Sequence, residues 1–217
     1  MTLQELLAQC KGGIVMTERN VPNVMSGAKT NFRQIVDIKR SPDCPAELPD
    51  DLISSEILEW RQQDGQWFGL HEYRTIALAG RVHQVGDRLY VKEALEQYNV
   101  HKSRPVFAVY KTDKDHVWTL GRDFRRWQSD DGKPWKNKVI PARYMPKSAA
   151  RTFIEITDVR CERVQDISVE DVKAEGCRPL RDHVAHFQDL WNETNGKDAW
   201  ERNDWTFAYT FKIVEPS

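Results

Sequence analysis

The stretch "DWTFAYTFKIV", Asp204–Val214, decides the fold class. Its large apolar residues Trp205, Phe207, Tyr209, Phe211 and Ile213 fall on every second position. A period of two is that of a β-strand with one buried face, so this segment covers a core. Immediately upstream the period changes. "DHVAHFQDLWNETNG" spaces Val184, Phe187, Leu190 and Trp191 by three and four to form a helical face, with Gly196 beyond its end. "SVEDVKAEG" opens on Ser168, three residues before Asp171, a variant of the capping box, and stops at Gly176.

Further upstream the strand signals dominate. "RTFIEITDVRCERV" predicts a long strand with Ile154 and Ile156 on one face, "RPVFAVYKT" another, and "GDRLYVKEAL" a third in which Leu89 and Val91 alternate with Tyr90 and Lys92. "ILEWRQQDGQWFGLHEY" carries Asp64-Gly65 between aromatic-bearing runs, a hairpin signal, and Phe32–Lys39 is apolar enough for a strand. "SPDCPAELPDD" has three prolines and reads as a loop. Residues 1–13 form a short amphipathic N-terminal helix ending near Cys10, and a second helical turn around Pro22 stops at Gly27. Asp115–Lys147 is charged and rich in aromatics and reads as an insertion or long loop. About six strands with few helices make an α+β fold, a small mixed β-barrel or curved sheet with peripheral helices, spanning 14–216 as a single domain.

The 217 residues carry 32 basic against 33 acidic side chains, which excludes a bulk polycation coating nucleic acid non-specifically, so any basic surface is local. Apolar runs fall far short of the roughly 20 residues that cross a bilayer, and the N-terminus lacks the pattern of a secretion signal. A cytoplasmic protein with no membrane contact is expected. Cys10, Cys44, Cys161 and Cys177 lie far apart without a CxxC pair, which fits reduced thiols rather than a zinc ribbon. His183 and His186 lack a third ligand, so no metal site and no cofactor are expected.

Three places carry candidate chemistry. In "SGAKTNFRQIV", Ser26–Val36, Lys29 and Arg33 stand four apart beside Thr30 and can converge on one anion, a phosphate or a base carbonyl; the bland alternative is a pair of solvated cations closing a helix. Glu93 follows Leu89 and Val91 on their apolar face, and an inward carboxylate needs a partner, for which Lys29 or Arg33 is the expected one; the alternative is a strand that stops at Lys92 with Glu93 exposed. Arg125, Arg126, Trp127, Trp135, Lys136 and Lys138 interleave charge and aromatic rings as single-strand nucleic-acid binders do, or else form a solvated face.

The segments "SGAKTNFR", "GDRLYVKEAL", "MPKSAARTFIEITDVRCERVQDISVEDVKAEG" and "FQDLWNETNG" with "AWERNDWTFAYTFKIV" occur in an order that resembles the ASCH-domain proteins of bacteriophages and prophages, in the PUA-like superfamily. The resemblance implies a pseudo-barrel with a cleft beside the first helix, and binding of RNA, single-stranded nucleic acid or a modified nucleotide. One relative implied by it is an amidohydrolase acting on acylated cytidine, which makes a hydrolase on a nucleobase amide or on RNA the alternative, with Lys29, Glu93 and Glu175 as catalytic candidates. The family signature G-x-K-T-x-T-R-R reads G-A-K-T-N-F-R-Q here: Lys29, Thr30 and Arg33 match, whereas Phe32 supplies no hydroxyl where the relative has its proposed nucleophile. A third class is a phage interaction protein with a host protein partner.

Overall fold

The computed structural model describes residues 1–36, 57–64, 66–71, 74–77, 82–98, 107–117, 139–177 and 182–216. The protein is α+β, and among the described residues the largest sheet is a five-stranded mixed one. Its strands are β1 (Gly12–Val15), β2 (Asn31–Ile35), β6 (Arg88–Lys92), β10 (Phe153–Arg163) and β11 (Trp205–Val214). They lie in the order β1-β6-β10-β11-β2. The chain divides into two compact units, one comprising Met1–Ala28, Gly86–Glu155 and Lys212–Ser217, the other Lys29–Val85 and Ile156–Phe211.

The first unit begins with α1 (Leu3–Gln9). The Thr2 hydroxyl accepts from the Glu5 N–H while the Glu5 carboxylate accepts from the Thr2 N–H at 2.8 Å, a reciprocal cap that satisfies two otherwise orphaned donors. The helix turns Leu6 into a core with Tyr90, Leu95, Tyr110, Ile140 and Phe153. The expected turn around Pro22 is α2 (Asn20–Met25), which buries Val21 and Val24 and ends before Gly27 at φ 73.

In the sheet, β1 runs parallel to β6 with Gly13 opposite Tyr90, and β10 begins antiparallel to β6 with Phe153 opposite Tyr90. A Cβ on Gly13 would lie 2.6 Å from the Tyr90 ring and from the Lys92 side chain. Gly13→Ala is therefore expected to force that core ring to move and to cost about 1–3 kcal/mol, read as a lower urea midpoint with an unchanged slope.

A small sheet completes this unit: β7 (Leu95–Tyr98) pairs with β8 (Phe107–Tyr110) and with β9 (Val139–Ile140). The segment expected to be an insertion over 115–147 is thus folded at both ends. His116 bridges to Val109, and single 3-10 turns at Ala142–Tyr144 and Lys147–Ala149 accompany the burial of Met145 and Ala149. Residues 118–138 lie outside the described ones.

The second unit contains the hairpin β3 (Glu59–Gln63) and β4 (Gln66–His71), extended by β5 (Arg74–Ala77). Asp64 takes φ 50 at the hairpin turn, a conformation that Asp tolerates better than most residues. Trp60 and Trp67 set their edges against Phe207 of β11, with ring centroids 6.5 and 5.2 Å away. The strand β11 pairs antiparallel with β2, placing Phe32 opposite Tyr209 and Arg33 opposite Ala208. The expected strand from Phe32 is present as β2 up to Ile35; its remainder from Asp37 lies outside the described residues.

Both expected helices form: α3 (Val169–Ala174) and α4 (His183–Asn195). The Ser168 hydroxyl accepts from the Asp171 N–H, the Asp182 carboxylate accepts from the Ala185 N–H, and Gly176 and Gly196 take φ 81 and 102 where the helices end. Val172, Phe187, Trp191 and Trp200 form a core with Val164 in this unit. Among the described residues no helix is long and apolar enough to cross a membrane. Cys10 and Cys161 are free thiols, both raised by burial; Cys177 is buried, and Cys44 lies outside the described residues.

Candidate functional site

The two cations of the Ser26–Val36 motif do converge, and the anion they meet is the protein's own. Lys29 precedes β2 and is buried. Its Nζ lies 2.5 Å from Glu175 Oε2 and donates also to the Glu175 carbonyl at 2.9 Å. Arg33 reaches the other oxygen of the same carboxylate, Nη1 to Glu175 Oε1 at 3.0 Å. Its second terminal nitrogen donates to Glu162 Oε1 at 2.6 Å and approaches Asp171 Oδ2 at 3.4 Å. Glu175 is thus the hub, held at the end of α3 where the Glu175 N–H bonds the Asp171 carbonyl at 2.8 Å.

Strand alternation explains why these groups meet. Asn31 and Arg33 are two apart on β2, so both side chains leave the same face of the sheet. Asp158, Arg160 and Glu162 alternate in the same way along β10. Arg160 donates to Asp171 Oδ2 at 3.0 Å, and Asn31 donates its amide N–H to Asp171 Oδ1 at 3.0 Å. Three cations, Lys29, Arg33 and Arg160, therefore face four carboxylates, Asp158, Glu162, Asp171 and Glu175. The guanidinium of Arg33 also lies 5.8 Å from the Phe187 ring centroid. Three polar atoms of this network are buried with no hydrogen-bond partner, the acceptor Asn31 Oδ1 and the donors Arg33 Nε and Arg160 Nε.

Thr30 is held beside the cluster by its backbone. Its N–H donates to the Ala174 carbonyl and its carbonyl accepts from the Phe211 N–H, both at 2.8 Å. Phe32 is a core residue stacked on Tyr209 at 4.7 Å.

Glu93 requires a correction. It is fully buried, as an inward carboxylate after Val91 should be, even though β6 ends at Lys92. Its partner, however, is neither Lys29 nor Arg33. Arg151 grips it in a two-pronged fork, Nε to Oε1 at 2.9 Å and Nη2 to Oε2 at 2.8 Å, and Glu93 belongs to the first compact unit whereas Lys29 and Arg33 belong to the second. The Arg151 guanidinium lies 3.7 Å from the centroid of the Tyr110 ring and pairs with Asp113 at 2.7 Å. Burial pushes the Tyr110 hydroxyl up, and that hydroxyl donates to the Ala149 carbonyl at 2.6 Å. Burial would also raise the Asp113 carboxyl, but the hydrogen bond from Arg151 and those from backbone N–H groups outweigh it and hold Asp113 below the usual carboxylate range.

Of the residues singled out in the sequence, the structure brings together Lys29, Arg33 and Glu175, sets Thr30 beside them, and gives Glu93 a separate arginine. Arg125, Arg126, Trp127, Trp135, Lys136 and Lys138 lie outside the described residues. Sequence reasoning missed Asn31, Arg151, Arg160, Glu162 and Asp171 as members of these networks. No family model, no curated protein and no solved structure matches this chain.

Proposed function

We propose that this chain is an ASCH-type protein of the PUA-like superfamily, of the bacteriophage or prophage kind, that binds RNA, single-stranded nucleic acid or a modified nucleotide in the host cytoplasm. The small mixed barrel implied by the resemblance belongs to this reading. The order of the matching segments and a mixed sheet in an α+β chain support it. The observation that carries it is the buried network around Glu175. Burying ion pairs is often no better for stability than apolar packing, and clustered desolvated charges are a mark of functional sites.

In this reading the pocket does one job and the basic segment another. Around Glu175 the carboxylates of Asp158, Glu162, Asp171 and Glu175 outnumber the cations Lys29, Arg33 and Arg160, so electrostatic attraction for a phosphate backbone comes from Arg125, Arg126, Lys136 and Lys138. Fluorescence anisotropy with a labelled single-stranded RNA is expected to give affinity that falls as salt rises. Changing those four residues together to alanine is expected to flatten the log–log slope by about 0.7 for each phosphate that is no longer neutralised. Absence of binding to any oligonucleotide, or a slope indifferent to the four changes, would count against it.

A hydrolase is the second reading, favoured by the buried Lys29–Glu175 pair at 2.5 Å, which sets an acid/base couple next to Thr30. Turnover of an N-acylated cytidine that disappears in Glu175→Gln is its signature.

A further inference from the structure

Resting on the nucleotide-binding reading, we infer that Asn31 and Arg33 read the edge of a neutral nucleobase, with Asn31 Oδ1 accepting from an edge N–H and Arg33 Nε donating to the neighbouring acceptor atom. Both atoms are buried without a hydrogen-bond partner, on residues whose side chains are almost wholly shielded: Asn31 is 4% exposed and the Arg33 side chain 1%. Leaving such groups unpaired costs free energy, and native interiors seldom do it. Both residues leave one face of β2 and both reach Asp171 through their other nitrogens, Asn31 Nδ2 at Oδ1 and Arg33 Nη2 at Oδ2. An acceptor beside a donor is the complement of a planar edge on which an N–H adjoins a ring nitrogen or carbonyl, and every nucleobase carries such an edge.

Phosphate fits this pair poorly. A backbone phosphodiester offers no donor to Asn31 Oδ1, and the carboxylates of Glu162, Asp171 and Glu175 already neutralise the cations that would attract any phosphate. The terminal nitrogens of Arg33 and the amide nitrogen of Asn31 donate to those carboxylates, which holds Asn31 Oδ1 and Arg33 Nε in place on residues of one strand. Arg160 is the most exposed of the three cations, its side chain 42% exposed and held by Asp171 at 3.0 Å, and in this inference it is the side chain that moves to admit the base.

Calorimetry with the four ribonucleosides, with each methylated so that its edge N–H is lost, and with inorganic phosphate tests the assignment. At least one nucleoside is expected to bind, with an affinity that changes less than about twofold between about 50 and about 200 mM salt, since no phosphate is neutralised. Its methylated counterpart, and Asn31→Ala with the parent nucleoside, are each expected to bind about tenfold more weakly. If Asn31→Ala does not fold, the methylated ligand alone decides. Nucleoside monophosphates or phosphate binding with steep salt dependence while nucleosides are silent would overturn the base-edge assignment and leave the nucleotide reading standing. Binding indifferent to both methylation and Asn31→Ala would overturn it as well. Silence of nucleosides, nucleotides and RNA alike would remove the underlying reading and this inference together.

Discussion

Arg33→Leu is expected to lower the stability of the protein by about 3–5 kcal/mol, the range for deleting one partner of a buried ion pair. The size follows from what the guanidinium holds. Its terminal nitrogens reach Glu175, Glu162 and Asp171 from a side chain that is nearly inaccessible. Without it, Lys29 and Arg160 face those three carboxylates and Asp158, and at least one buried negative charge is left uncompensated. Arg33→Lys is expected to recover only part of the loss, because an ammonium is a point charge and lacks the rigid fork that spans separate acceptors. Arg160→Ala provides the contrast. Its side chain is substantially solvated, and an exposed pair of this kind contributes about 0–1 kcal/mol. Urea unfolding of the three variants reads the difference. An Arg33→Leu midpoint as mild as that of Arg160→Ala would mean that water, rather than these three carboxylates, solvates the guanidinium.

Local features are legible in the sequence to the extent that local physics dictates them. Ser168, Asp182, Gly176 and Gly196 bound the two helices because caps act over three or four residues, and the alternation in Trp205–Val214 marks a strand because side chains there must take sides. An inward Glu93 is legible for the same reason. Its partner is not: Arg151 lies 58 residues away, and spacing along a chain carries no information about which buried cation meets which buried carboxylate. The pair Lys29 and Arg33 is likewise visible as a convergence without its target, since Glu175 is 146 positions from Lys29. One missed group does leave a trace. Asp158, Arg160 and Glu162 follow Ile154 and Ile156 on every second position of the strand, and three charged residues in that alternation announce a polar cluster on one side of the sheet. Asp171 reads in the sequence as part of a helix cap, and its backbone N–H does serve the cap, while its carboxylate ties Asn31, Arg33 and Arg160 together.

Arg151→Leu is the companion expectation in the other unit, again about 3–5 kcal/mol. Glu93 has no solvent contact, and both its oxygens are met by the same guanidinium. The leucine also forfeits the stacking on Tyr110, an interaction worth about 0.5–2 kcal/mol depending on how far it is desolvated. A double-mutant cycle separates these contributions. Glu93→Gln alone removes the charge and leaves an amide against the fork, whereas Glu93→Gln with Arg151→Leu relieves the buried carboxylate that makes the single arginine change costly. The double variant is therefore expected to be more stable than the sum of the two single losses predicts, by at least about 1 kcal/mol of coupling. Additive losses would mean that Arg151 contributes through Tyr110 and Asp113 alone, and that some group other than this fork makes a buried carboxylate tolerable at position 93.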